Sequence, residues 1–149
     1  MKISADQYEN LKKFAILFFD RFYIQRNAPV NGDMRAVLEE MERKSMSAAR
    51  KGLGLMISDF LEMSTDWNGD VIKKFDDDLQ QQSTITLTEL RKNHSKRFAQ
   101  IVKANKIRNE HDYYHVKGML DSNTSCFSLE EIINLTQLLD NYELTISSR

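Results

Sequence analysis

An all-α fold follows from three observations. Helix breakers are scarce, apolar residues recur every three to four positions, and capping residues stand at the starts of those runs. The 149 residues include one Pro and five Gly, and so few breakers favour long helices over many short strands. Hydrophobic residues at 41% and charged residues at 29% give an ordinary globular balance and exclude a disordered chain. The expectation is one helical domain over 1–149, a compact bundle or orthogonal array of six to seven helices.

The first helix is predicted over 5–26. Ser4 with Gln7 makes a capping box, and Tyr8, Leu11, Ala15, Phe18 and Phe22 fall at helical spacing. The turn chemistry of residues 28–32 ends it. Asp33 is the expected cap of a second helix with Met34, Val37, Leu38 and Met41 on one side. In the third, Ala49, Leu53, Met56, Phe60, Met63 and Trp67 alternate steps of four and three, the pattern of a helix–helix seam. Gly52 and Gly54 lie within it, and close backbone approach by a neighbour is their expected compensation.

A fourth helix over 70–82 turns Ile72, Phe75 and Leu79 inward. Thr86 with Glu89 caps a fifth, whose apolar line is Leu87, Leu90, Phe98 and Ile101. Asn109 caps a sixth that runs to Leu120, and residues 121–125 read as loop. Ser128 with Glu131 caps the last, with Ile132, Ile133, Leu135, Leu138 and Leu139 apolar and a tail that frays after Leu144.

Net charge is −1, but the charge is segregated. Residues 87–108 carry seven Lys/Arg against one Glu, residues 62–78 six Asp/Glu against two Lys, and residues 128–149 four acids against one Arg. On a continuous fifth helix Lys92, Lys96, Lys103 and Lys106 lie within about 80° of one another, flanked by Arg91, Arg97 and Arg108. Such a row can follow a phosphate backbone or meet an acidic protein face. The more ordinary reading is a solvated helix face, or pairing with the chain's own acidic helices. Interleaved aromatics for base stacking are missing. The run Asp76-Asp77-Asp78 lacks a calcium-loop pattern and reads as a solvated acidic face.

All three histidines fall between 94 and 115. His111 and His115 are four apart on one helix face, a spacing that lets both bind one zinc ion, with His94 as the third candidate ligand. The more ordinary reading is surface or core histidines without metal. Arg108, Asn109 and His115 together resemble the R-x(4–6)-H motif of the HEPN superfamily, small all-helical domains of which many are metal-independent ribonucleases. The resemblance covers eight residues. It implies that Arg108 holds phosphate, His115 acts as acid and base, and Asn109 positions, at a cleft between two subunits.

Cys126, the only cysteine, fits a reducing cytoplasm. No signal peptide is visible, and the apolar stretch Phe14 to Phe19 is too short to span a bilayer. No nucleotide-binding, hydrolase or paired-carboxylate signature appears. The leading expectation is therefore a cytoplasmic, non-enzymatic interaction protein without cofactor. It would bind a protein partner through charged helix faces, as an inhibitor, antitoxin, immunity protein or adaptor does. The HEPN-like ribonuclease and a nucleic-acid-binding domain using the lysine stripe are the rivals, and a homo-oligomer stays open.

Overall fold

The computed structural model describes residues 1–23, 34–122 and 124–149. Among them are eight α-helices, one short 3-10 helix and no strand, so the all-helical expectation holds with a helix more than six to seven. The helices are α1 (Tyr8–Phe22), α2 (Met34–Lys44), α3 (Met46–Met63), α4 (Gly69–Gln81), α5 (Leu87–His94), α6 (Lys96–Ala104), α7 (Glu110–Ser122) and α8 (Leu129–Ser147), with the 3-10 turn Thr124–Cys126 before the last. The predicted end of the first helix at Arg26, the turn at 28–32, the Asp33 cap and Asn123 lie outside the described residues. No helix among the described residues is long and apolar enough to cross a membrane.

The chain divides into two compact units. The first comprises residues 1–60 and 79–85, the second residues 61–78 and 86–149, so the division falls inside α3 and α4.

In the first unit the predicted line of α1 is buried at Tyr8, Leu11, Ala15 and Phe18, joined by Phe14, while Phe22 at its end is only half-buried. Phe18 stacks on Phe60 with centroids 4.3 Å apart. The Ser4–Gln7 box is half formed. The Gln7 Oε1 accepts from the Ser4 N–H at 3.2 Å, but the Ser4 hydroxyl donates to Asp6 and Gln7 and caps no backbone N–H. Asn10 holds the 79–85 segment to α1, its side chain bonding the Ser83 carbonyl at 3.3 Å and the Ile85 N–H at 3.1 Å. Of the two glycines of α3, only Gly54 meets the expected backbone approach, while Gly52 faces a flexible side chain. A Cβ on Gly52 would sit 2.6 Å from the Met41 sulfur of α2, and one on Gly54 would sit 2.1 Å from the Met1 carbonyl oxygen.

In the second unit the core gathers Phe98, Ile101, Ile107, Val116, Met119, Phe127, Leu135 and Leu138, and α7 touches α6, α8 and the 3-10 turn. Three predicted elements differ. The seam of α3 stops at Met63 because the Ser64 and Thr65 hydroxyls each bond the Leu61 carbonyl at 3.2 Å, so Trp67 lies in the turn before α4. The long fifth helix is two helices. Ser95, at φ −71° and ψ 119°, ends α5 and caps α6 by accepting the Phe98 N–H at 3.2 Å. The tail does not fray at Leu144: α8 runs on to Ser147 and includes 144–146.

Candidate functional site

The break at Ser95 reorganises the basic row. Phe98 and Ile101 anchor the inner side of α6, Asn105 ends it in the left-handed region at φ 50°, and Ile107 returns the chain to the core. Between these anchors Lys96, Arg97, Lys103, Lys106 and Arg108 are exposed, and so is Val102. Arg97 lies 4.0 Å from an oxygen of Asp112. The other four have no ion pair among the described residues.

Two expected members of the row leave the surface. Lys92 turns back onto its own unit, bonding Glu131 at 3.1 Å and the Cys126 carbonyl, with its ammonium 5.1 Å from the centre of the Phe127 ring. Arg91 is fully buried. None of its guanidinium nitrogens has a hydrogen-bond partner among the described residues. Burial pushes it down to about 10, against the pull of Asp76 and Asp66. A single continuous lysine stripe does not form, because a helix wheel spanning 92–106 loses its phase at Ser95.

Arg91 belongs to a buried polar core that sequence reasoning missed. Asp76, read as part of a solvated acidic face, is 1% exposed. Its carboxylate accepts from the Leu87 N–H at 2.8 Å, the Thr88 N–H at 3.4 Å and the Thr88 hydroxyl. The two N–H groups are orphan donors of the first turn of α5, so an acid of α4 caps the next helix across the chain. Thr88 also meets Ser122 at 3.1 Å. Burial raises the Asp76 carboxyl above its ordinary value, opposed by these hydrogen bonds and by Arg91. The hint in the sequence was the spacing of Ile72, Phe75 and Leu79, which places Asp76 beside the inward face.

His115 completes this core. It is 0% exposed. Its Nδ1 lies 3.2 Å from the Thr65 carbonyl and its Nε2 3.3 Å from the Ser95 hydroxyl. A carbonyl only accepts, so Nδ1 carries the proton and neutral Nε2 receives the Ser95 O–H. Burial and the nearby Arg91 charge push His115 down to about 4, against the Thr65 hydrogen bond. Arg108, by contrast, is exposed, and its backbone N–H donates to Asp112 at 3.3 Å. Asn109 accepts the Asp112 N–H at 2.9 Å and caps α7 as predicted. The Arg108 and His115 pair of the HEPN resemblance is thus not presented at one surface.

The histidines are not gathered as ligands. His94, the third candidate ligand, is exposed at the end of α5. His111 is exposed and pairs with Asp66 at 3.0 Å, and His115 spends both nitrogens internally. No group of three or more His, Cys, Asp or Glu side chains among the described residues is placed to hold a metal ion. Cys126 is half-buried, and burial pushes its thiol up, away from nucleophilic character.

What the site offers chemically is an exposed, largely unpaired set of cations on α6 and the turn after it, anchored by Phe98, Ile101 and Ile107. No protein-family model matches the chain, and no curated protein and no solved structure matches it.

Proposed function

We propose that this chain is a non-enzymatic interaction protein of the cytoplasm that docks an acidic protein surface onto the basic face of α6. The observation that carries the reading is the exposure of Lys96, Lys103, Lys106 and Arg108 without acidic partners among the described residues, on a helix fixed by Phe98 and Ile101. Cations that a fold leaves unpaired on a rigid element steer and orient an oppositely charged partner.

Two features favour protein over nucleic acid. Val102, 51% exposed, supplies an apolar contact among the cations, while no aromatic side chain of α6 faces outward to stack a base. The same unit also holds a cleft of about 480 Å³ whose lining sets three carboxylates, Asp66, Asp70 and Asp121, against one cation, Lys117, beside Trp67 and Tyr114. Those carboxylates repel a long polyanion that tracks across the unit.

The test is fluorescence anisotropy of the full chain with a labelled poly-glutamate peptide and with a labelled single-stranded RNA. Each is measured at low and physiological salt. The peptide is expected to bind, and Lys96→Glu with Lys103→Glu to weaken it about tenfold, equivalent to 1.4 kcal/mol. RNA binding tighter than peptide binding, with a log–log salt slope near 0.7 per phosphate contact, would replace this reading with the nucleic-acid one. Failure of both probes at low salt would overturn it.

A further inference from the structure

The first unit carries a second cationic feature, built differently and independent of α6. Between Glu42 and Asp59 the chain has no acidic residue and four cations, Arg43, Lys44, Arg50 and Lys51. Ser45 starts α3 as its cap, its hydroxyl accepting the Ala48 N–H at 3.0 Å. Ser47, Arg50 and Lys51 then fall on neighbouring positions of one helix face.

Gly54 brings a further cation to that face. With no Cβ there, the segment 1–3 lies directly across α3. The Met1 amine donates to the Ser58 hydroxyl at 3.2 Å, and Ile3 is buried at 6% exposure. Lys2, between these two anchors, is exposed on the rim. The result is a cleft of about 490 Å³ lined by Met1, Lys2, Ile3, Ser47, Arg50 and Lys51. Among the described residues its lining contains three cationic side chains and a hydroxyl but no carboxylate. The side chains of Lys2, Arg50 and Lys51 make no ion pair or hydrogen bond among the described residues, and Arg50 is half-buried.

We propose that this cleft binds the polyphosphate portion of a small ligand. Like charges converging on one concavity repel one another unless an anion joins them. The guanidinium of Arg50 matches a phosphate with two parallel N–H bonds, while Lys2 and Lys51 supply point charges for neighbouring phosphates. The Ser47 hydroxyl adds a neutral donor, and the positive end of the α3 dipole acts in the same sense. The volume lies within the roughly 300–1,000 Å³ of small-ligand sites. No aromatic side chain lines the cleft, so recognition falls on the phosphates and not on a base or ring.

The experiment is isothermal titration calorimetry of the full chain with sodium tripolyphosphate, at ionic strength matched with sodium chloride. In parallel, the chain is sedimented with phosphatidylcholine vesicles containing phosphatidylinositol 4,5-bisphosphate. The variants are Arg50→Gln with Lys51→Gln, Lys2→Gln, and Lys96→Gln with Lys103→Gln on α6, each checked for helicity by circular dichroism. Saturable one-to-one binding of tripolyphosphate is expected. It should fall about tenfold or more (1.4 kcal/mol) in the 50/51 variant, fall less in Lys2→Gln, and be unchanged in the α6 variant. Binding to the vesicles alone, lost in the same 50/51 variant, would keep the phosphate chemistry and assign its source to a lipid headgroup. Binding of neither probe, or binding that follows the α6 variant and not the 50/51 pair, would overturn the proposal.

Discussion

His115 is held neutral by its surroundings, and this fixes how the fold responds to acid. The Thr65 carbonyl demands a proton on Nδ1, the Ser95 hydroxyl suits a bare Nε2, and burial beside Arg91 opposes a second proton. Its folded value, about 4, lies below the ordinary 6.5 of an unfolded histidine. Between these values the unfolded chain binds more protons than the folded one. The contribution of His115 is therefore complete above about pH 6.5 and is lost as the pH falls towards 4. From pH 7 to pH 5 the loss is about 2 kcal/mol. Asp76 works in the opposite direction, because its raised carboxyl takes up a proton in the folded state first as the pH falls. The comparison of His115→Gln with the parent chain isolates the histidine. Urea unfolding at both pH values should show the parent losing markedly more stability than the variant, and equal losses would mean that His115 is already charged in the fold. Little of this was legible from the sequence: the spacing of Ile72, Phe75 and Leu79 placed Asp76 beside the inward face, but a charged residue such as Arg91 is ordinarily solvated, and its burial is set by the tertiary fold.

At the level of the helix, local chemistry was readable where the capping signal was complete and silent where it was not. Ser128 with Glu131 forms both bonds of its box, and Thr86 accepts the Glu89 N–H at 3.1 Å. Both starts were predicted. Ser95 is followed by Lys96, Arg97 and Phe98, so the acid or amide that completes a box is missing. Leu90, Phe98 and Ile101 also keep a usable helical phase across the break, and apolar periodicity alone therefore reads one continuous fifth helix that carries Lys106 as well. The capping role of Ser95 is a local and measurable feature. Ser95→Ala removes the acceptor for the Phe98 N–H and the donor to His115, and should cost about 1–2 kcal/mol in urea unfolding. Ser95→Asp keeps the acceptor and should recover part of the cap but not the hydrogen bond to neutral His115. A loss within about 0.5 kcal/mol for Ser95→Ala, the range of ordinary surface substitutions, would mean that packing of Phe98 and Ile101 alone sets the break.

For the molecule as a whole, net charge is a poor guide to behaviour and charge placement a better one. The sum is −1 with an isoelectric point near 6.3, which by itself predicts no retention on a cation exchanger at pH 7. The segregation seen in the sequence survives in the fold as the exposed cations of α6 and the turn after it. The cationic cleft of the first unit was not seen there, because Lys2 is distant in sequence from Arg50 and Lys51 and only the close approach at Gly54 joins them. A surface divided in this way binds through its patches, within a Debye length of about 10 Å at 0.1 M salt. The chain is therefore expected to be retained on a cation exchanger at pH 7 and low salt in spite of its net charge. Two pairs of substitutions with the same change in net charge separate placement from sum. Lys96→Gln with Lys103→Gln removes unpaired cations from the patch and should elute at clearly lower salt. Lys73→Gln with Lys74→Gln acts on α4 among its acids, where Lys73 already pairs with Asp77 at 3.1 Å, and should leave elution almost unchanged. Equal shifts for the two pairs would show that the column senses only the total charge, and the exposed face of α6 would then have no special electrostatic standing.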